Sequence, residues 1–565
     1  MKTLLVSVNS QYIHSNLAVW YLKSACDKSG IDTAVMEFSI NQQIENVYME
    51  IVMQNPQIIC FSVYIWNISF ILKLAQDIKK VLPGITIILG GPEVTYNSKN
   101  ILKENDQIDF CICGAGEKAV VSLIREIKSG GSDFDIDGVN YNNNAGFVDN
   151  GTAYVEFDKT SSPYTLEMLE FCSGKIFYYE SSRGCPFKCG YCLSSCEDGV
   201  MYLPLDRVFS ELDTIVKAGY KLIKFVDRTF NANAKRSYEI VKFIIENTGD
   251  TTFHFEIGAD LLTDELVELL STAPNGKIQL EAGIQTTNPK TLDAIDRKTD
   301  LDKLFKRVRQ LVSGKNIHIH IDLIAGLPFE DYDSFAKSFN DVYSLKADEL
   351  QLGFLKLLHG TKLRNQSSEY GYMFRHYHPY EFLQSDWLDY ADVVKIKRFG
   401  RIFELFGNGG KFILTLGYLE QFFENPFSMF EKMSQYFDLD DRPFSLVNKF
   451  GLMIGFVRDN FDEDIFGICK ELLRFDFRRG AVQGEMPKEI VGGEGNFMRL
   501  KREFDELGMG DLTGLDTVSK QNRWLKLEEF VIDPVSLERK RTVVAFDYGT
   551  KSKVTGLCKY YKCEK

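Results

Sequence analysis

The stretch Arg183–Cys196, RGCPFKCGYCLSSC, sets four of the chain's twelve cysteines in one short loop, separated by three, two and three residues. Three chemistries compete for such a loop. Disulfides belong to oxidising compartments. The chain, however, opens on MKTLLVSVNS, which carries one lysine, turns polar after six further residues and reads as a buried strand rather than a signal peptide. Its apolar runs also stop short of transmembrane length. The chain therefore reads as cytoplasmic, with no membrane span and with reduced thiols. Structural zinc usually joins two separated knuckles, and no second CxxC or HxxxH pair occurs; Cys558 and Cys563 read as ordinary thiols. An iron-sulfur cluster, which takes cysteine thiolates as ligands, is what remains.

The flanking sequence supplies a scaffold for that loop. KIFYYESS, ending at Ser182, reads as a strand entering it, and LDRVFSELDTIVKAG as a helix leaving it. KLIKFVD, TTFHFEI, KIQLEAGIQ, IHIHIDLIAGLP and ELQLGFLKLLHG follow as strands separated by helical segments. Six strands alternating with helices predict a parallel α/β array, open or partly closed as a barrel. Such folds place chemistry at the carboxyl ends of the strands. Asp227 ends the second strand, Glu256 lies in the third, Glu281 and Gln285 in the fourth and Asp322 in the fifth, with Arg297 on the next helix after the fourth. Taken singly, each reads as a helix cap or a surface ion pair.

Together these residues carry a resemblance. The spacing Cys185-x3-Cys189-x2-Cys192, with Tyr191 just before the last cysteine, resembles the signature of the radical S-adenosyl-L-methionine (SAM) superfamily. The resemblance implies a 4Fe-4S cluster held by Cys185, Cys189 and Cys192, with the fourth iron chelated by SAM, and leaves Cys196 as a spare thiol. Glu256, Gln285 in GIQ, Arg297 twelve residues later and Asp322 in DLIAGLP resemble the SAM-contacting set of the anaerobic coproporphyrinogen oxidases. By that likeness Glu256 would hold the ribose hydroxyls, and Arg297 would pair its guanidinium fork with the methionyl carboxylate. Gln285 and Asp322 would complete the pocket, with Tyr191, Asp227 and Glu281 beside them. Gly184 would let the backbone pass close to the cluster.

Ahead of the loop, KTLLVSV, QIICFSVYIW, ITIILGG and DFCICGAGE are buried-strand runs alternating with helices, which predicts a doubly wound sheet. Its strand ends carry turn residues, including Ser62, Gly90, Gly91, Gly114 and Gly116. Tight turns alone explain such glycines. Fused ahead of the cysteine motif, this unit resembles the cobalamin-binding domain of cobalamin-dependent radical SAM enzymes, with Ser62, the GGP turn (Gly90, Gly91) and CGAGE (Gly114, Gly116, Glu117) lining the cofactor. The D-x-H-x-x-G loop that supplies a histidine to cobalt elsewhere is missing. The sole histidine before residue 254 is His14, expected to pack beside the Ser15/Asn16 helix cap.

These expectations divide the chain into a cobalamin-binding-like domain (1–128), a hairpin and linker (129–170), a radical SAM core (171–365) and a mostly helical C-terminal domain with terminal strands (366–565). The layout is similar to a cobalamin-type subgroup with a C-terminal domain of unassigned function. Its aromatic residues are expected in a helical core, and His376 and His378 in a solvated loop. A net charge of -13 argues against a general nucleic-acid surface. The resemblance implies a radical SAM enzyme fed by a low-potential donor such as flavodoxin or ferredoxin. It would modify an unactivated carbon, with methylation the best guess and rearrangement or cyclisation open, on a substrate the sequence leaves unidentified. A cobalamin-free enzyme like the coproporphyrinogen oxidases and a non-enzymatic metal-stabilised sensor are the rival readings. Electron paramagnetic resonance of the cob(II)alamin-loaded protein is expected to show no nitrogen coupling from protein imidazole on cobalt; coupling assignable to His14 would refute this.

Overall fold

A computed structural model of the chain describes residues 1–132, 134–196, 198–438, 443–480, 485–492, 497–509 and 524–563. The expected linker's Asp133 and parts of the C-terminal region lie outside them. Strands β1 (Thr3–Asn9), β2 (Thr33–Ser39), β3 (Ile58–Ser62), β4 (Thr86–Gly90) and β5 (Phe110–Ile112) form a parallel sheet in the order β2-β1-β3-β4-β5. Every residue of β1, β3 and β5 is buried, as expected for strands covered by helices on both faces. The hairpin β6 (Val139–Asn143) and β7 (Gly146–Val148) extends this sheet antiparallel beyond β5.

The second sheet is wholly parallel. Its strands are β8 (Phe177–Tyr179), β11 (Leu222–Phe225), β12 (Thr252–Ile257), β13 (Ile278–Gln285), β14 (His318–Ala325) and β15 (Glu349–Phe354), in that spatial order. A short ribbon between the first two, β9 (Ser182–Gly184) with β10 (Val200–Tyr202), brackets the cysteine loop. In β13 and β14 burial alternates strictly: Leu280, Ala282, Ile319 and Ile321 are buried, while Glu281, Gly283, His320 and Asp322 are only half-buried on the inner face. This open-edged partial barrel therefore has an apolar outer side and a polar inner side.

Beyond the barrel come β16 (Met373–Phe374) and β17 (Phe382–Gln384), then a helical region and an antiparallel sheet of β18 (Leu525–Phe530), β19 (Thr542–Lys551) and β20 (Cys558–Cys563). The aromatic residues do form a helical core. Phe399, Phe403, Phe427 and Phe430 are buried and pack against Phe339 of the barrel helix Tyr332–Tyr343. Among the described residues no helix is long and apolar enough to cross a membrane.

Arg183 fastens the two large sheets together. Its guanidinium donates to Glu180 beside it and, at 2.8 Å, to Glu117 in the first turn of the N-terminal domain's helix Gly116–Ser129. Tyr21 and Phe157 lie against its faces, with ring centroids 5.3 and 4.5 Å away. A second seam pairs the backbone of His14 with Ile176, flanked by the Lys175–Glu37 ion pair at 3.0 Å. Removing one member of a largely buried pair strands the other charge, at a cost of about 3–5 kcal/mol. Arg183→Met is therefore expected to lower the free energy of unfolding by about 3 kcal/mol or more in a urea titration, and Arg183→Lys to recover only part, because lysine lacks the fork. An unchanged midpoint in Arg183→Met would refute the coupling.

Candidate active site

The cysteine loop is held from behind by Asp227. That carboxylate is buried at the end of β11 and accepts from the Ser181 amide at 2.7 Å, from Ser181 Oγ at 2.6 Å and from Ser182 Oγ at 2.7 Å. Burial pushes its pKa up while these donors pull it down. Three donors thus engage the carboxylate of Asp227, a residue expected at the SAM pocket, and through them it anchors the chain entering the loop. Gly184 is also explained locally, since it has φ +97° and a Cβ there would meet the Gly199 carbonyl at 2.3 Å.

Within the loop, Cys185, Cys189 and Cys192 are free thiols, and Cys185 Sγ lies 3.5 Å from Thr229 Oγ1. Cys196 points away, 3.3 Å from the Gly360 carbonyl.

Arg297 lies between the helices Pro289–Ala294 and Leu301–Gly314 rather than on a helix as expected, and reaches the cysteine loop from its far side. Its Nη1 is 3.6 Å from Cys189 Sγ and 3.4 Å from Tyr191 Oη, and its Nη2 donates to the Gly283 carbonyl. Burial raises the pKa of the Cys189 thiol, and the Arg297 charge partly offsets this. Gln285 sits beside it in the left-handed region at φ +73°, after a break in the β13–β14 register. A Cβ on Gly283 would lie 2.1 Å from the Gln285 amide nitrogen, so this side-chain position requires a glycine there. Buried Gln285 Oε1 and Arg297 Nε have no hydrogen-bond partner. An orphaned side-chain amide oxygen on a strained backbone and an orphaned guanidinium nitrogen beside the thiol loop fit a polar ligand with donors and acceptors at that corner.

Glu256, Glu281 and Asp322 lie on the inner face with Arg228, His254 and His320. Burial, reinforced by Glu281, Asp322 and Asp227 and opposed by Arg228, lifts the Glu256 carboxyl to about 7. Burial raises the pKa of Tyr64, an effect that the Ser62 hydrogen bond and the Arg228 charge partly offset, so the Arg228 charge is felt in both domains. Sequence reasoning passed over Arg183, Glu180, Arg228, His254 and His320. The two histidines carry a legible signal, because HFE and HIHID alternate polar and apolar residues at strand period.

At the N-terminal sheet, Ser62 is buried at the end of β3 and receives Asn16 Nδ2 at 3.4 Å. Gly91 and Gly114 have φ +120° and +84°, and a Cβ on them would meet the Val63 and Ala153 carbonyls at 2.4 and 2.5 Å. The turns themselves therefore demand these two glycines. Gly90 and Gly116 have ordinary backbone angles with no such backbone clash. Glu117 gives one oxygen to Arg183, which makes it an interdomain anchor, while its other oxygen is buried without a hydrogen-bond partner. Tyr64 and Trp66 stack at 4.4 Å on the loop after β3, with Trp66 41% exposed. His14 Nδ1 is engaged by Tyr178 Oη at 2.6 Å, while Asn16 caps the following helix as expected. His376 is exposed in the turn between β16 and β17, as expected, and half-buried His378 beside it has its Nδ1 3.1 Å from Ser69 Oγ of the N-terminal domain.

Comparison with known proteins assigns the architecture. Residues 3–124 match the B12 binding domain, residues 179–342 the Radical SAM superfamily, and residues 368–507 a protein of unknown function, DUF4080. The chain thus joins a B12-binding domain, a radical SAM domain and a DUF4080 domain in one polypeptide. It is similar to the cobalamin-dependent radical SAM methyltransferase TokK of Streptomyces tokunonensis, at 26% identity over 51% of this chain and 44% of that protein. It is also similar to the hopanoid C-3 methylase of Methylococcus capsulatus, at 23% identity over 53% of this chain and 58% of that one. The chain thus spans about half the length of these relatives. Among solved structures, OxsB with aqua-cobalamin and S-adenosylmethionine bound superimposes with a TM-score of 0.58 at 15% identity, covering 84% of this chain and 83% of that one. TsrM from Kitasatospora setae, with cobalamin and a [4Fe-4S] cluster bound, gives 0.56 at 15%, covering 67% and 77%. These structural likenesses establish a shared fold.

Anaerobic reconstitution is expected to yield about four irons and four sulfides per chain at a three-thiolate site. Cys185→Ala, Cys189→Ala and Cys192→Ala should each lose them, while Cys196→Ala should keep them. Iron loss confined to Cys196→Ala would overturn the ligand assignment.

Proposed function

We propose that this chain is a cobalamin-dependent radical SAM enzyme that methylates an unactivated carbon. The observation that carries the reading is the convergence at the cysteine loop. Two residues before Cys185, Arg183 is bolted to Glu117 at a strand end of the B12-binding domain, and Arg297 lies against Cys189 from the other side. The loop thereby faces both the B12-binding domain and the inner face of the barrel.

In this reading Cys185, Cys189 and Cys192 hold a 4Fe-4S cluster, and Arg297 offers its unpartnered Nε to the carboxylate of SAM while the orphaned Gln285 Oε1 accepts from a donor of the same ligand. Glu256, buried and pushed to about 7, holds ribose hydroxyls and can do so as donor or acceptor. Ser62, Gly90 and Gly116 line the cobalamin with the Tyr64–Trp66 stack. When bound, these cofactors supply reductive SAM cleavage, hydrogen abstraction from carbon and methyl delivery. The chain's own work is to position them and to exclude water from a reactive centre. A low-potential protein such as flavodoxin or ferredoxin would donate the electron.

The B12-domain match and the methyltransferase relatives favour this reading over a cobalamin-free oxidase. If one SAM recharges cobalamin and a second is cleaved reductively, turnover is expected to release S-adenosylhomocysteine and 5'-deoxyadenosine in equal amounts. Deoxyadenosine without homocysteine product, with cobalamin loaded and substrate consumed, would rule out methylation. Arg297→Ala should suppress deoxyadenosine and leave iron content intact; unchanged deoxyadenosine would misplace the SAM pocket.

A further inference from the structure

The inner face of the barrel holds a group of side chains that the corner formed by the cysteine loop, Arg297 and Gln285 does not use. Glu281 of β13 and His320 and Asp322 of β14 each bring one ligand atom within 4.8 Å of the others. His320 Nε2 is 2.8 Å from Asp322 Oδ1, and His320 Nδ1 is 3.6 Å from Glu281 Oε2. From β12, His254 Nε2 approaches the same Glu281 oxygen to 3.2 Å. Register explains the convergence: Glu281 pairs directly with His320, and Asp322 lies two residues further along the same face. Glu281 precedes Gln285 by four residues, about 13 Å along the strand at 3.3 Å per residue, while Asp322 pairs with Gly283 nearer the rim.

Hydrogen bonding does not close this group. His320 Nε2 and Asp322 Oδ1 are buried and face each other, yet neither makes an aligned hydrogen bond, and buried His254 Nδ1 is also without a partner. Buried polar atoms left unpaired are destabilising. A cation that takes lone pairs from these donors removes most of that cost.

We propose that His254, Glu281, His320 and Asp322 bind one divalent first-row transition ion. Two neutral imidazoles and two carboxylates balance its charge, and this nitrogen-oxygen set suits manganese, iron or zinc rather than a thiophilic ion. The Glu281 and Asp322 side chains remain 29% and 19% exposed, so the site opens to the inner cavity and leaves a position for water or for an oxygen or nitrogen donor of a substrate. The ion is distinct from the iron-sulfur cluster and would sit beside Glu256, the register partner of Glu281, at residues that the sequence places at the SAM pocket.

Manganese(II) is the probe, because it takes oxygen and nitrogen donors and avoids the cysteines. The reconstituted full-length protein, desalted and titrated anaerobically with Mn2+, is expected to bind one ion per chain, and pulsed electron paramagnetic resonance should show modulation from imidazole nitrogen. Glu281→Gln and His320→Ala should each weaken uptake by about tenfold or more, as loss of a ligand does, with cluster iron unchanged. The proposal fails if the wild-type protein takes up no Mn2+, if bound Mn2+ shows no nitrogen modulation, or if both variants bind as tightly as wild type. Should a variant lose its fold, the nitrogen modulation of the wild-type complex decides.

Discussion

The buried charge of Arg183 is the constraint on which the active centre rests. A guanidinium this enclosed survives only with its carboxylates in place, so Glu180 and Glu117 must both be present, one from the barrel and one from the B12-binding domain. The neighbouring residues are fixed by a second buried group, since Asp227 needs the donors of Ser181 and Ser182. Five consecutive residues, Glu180 to Gly184, thus satisfy two buried charges that belong to different elements. The first cysteine follows immediately, and its position inherits that double restraint.

The opposite wall is set by strain. At the end of β13 the register breaks, Gln285 adopts a left-handed backbone, and Gly283 leaves the space its side chain occupies. A non-glycine residue in that region costs about 1–3 kcal/mol, which the surrounding packing must offset. The outcome is an amide oxygen without a partner beside the Arg297 guanidinium, opposite the cysteines. Strain and unsatisfied polarity together distinguish this corner from the rest of the strand ends, where glycines at Gly91 and Gly114 merely serve their own turns.

The two sheets and the cysteine loop were legible because their signals are local: two-sided burial leaves apolar runs such as IICFS, one-sided polarity leaves alternation such as HIHID, and the cysteine spacing is a contiguous pattern. The roles of single polar residues were not, because each is decided by a distant partner. Asp227 meets Ser181 across 46 residues, Glu117 meets Arg183 across 66, His14 meets Tyr178 across 164 and His378 meets Ser69 across 309. A strand-end carboxylate looks the same in sequence whether it faces a ligand or a serine hydroxyl. Only the partner's position separates the two, and periodicity carries no information about it.

Those long-range pairs also explain why the three matched segments act as one body. The stretch after β15 adds to the barrel through Leu355 and Ala325, touches the cysteine loop through Leu363 and Gly190, and reaches the B12-binding domain at His378–Ser69 and at two further points. Tyr380 donates to Glu93, whose carboxyl is buried just after β4 and raised by desolvation, and Gly360 lies so close to Tyr96 that a Cβ would strike its ring at 2.4 Å. Glu93 has Arg364 as its named opposite charge, itself donating to the Leu357 carbonyl in the same stretch. The turn after β4, one of those that would line a cofactor, is therefore completed by residues from the far side of the barrel. A buried acid whose donor lies across a domain boundary makes the boundary part of the fold.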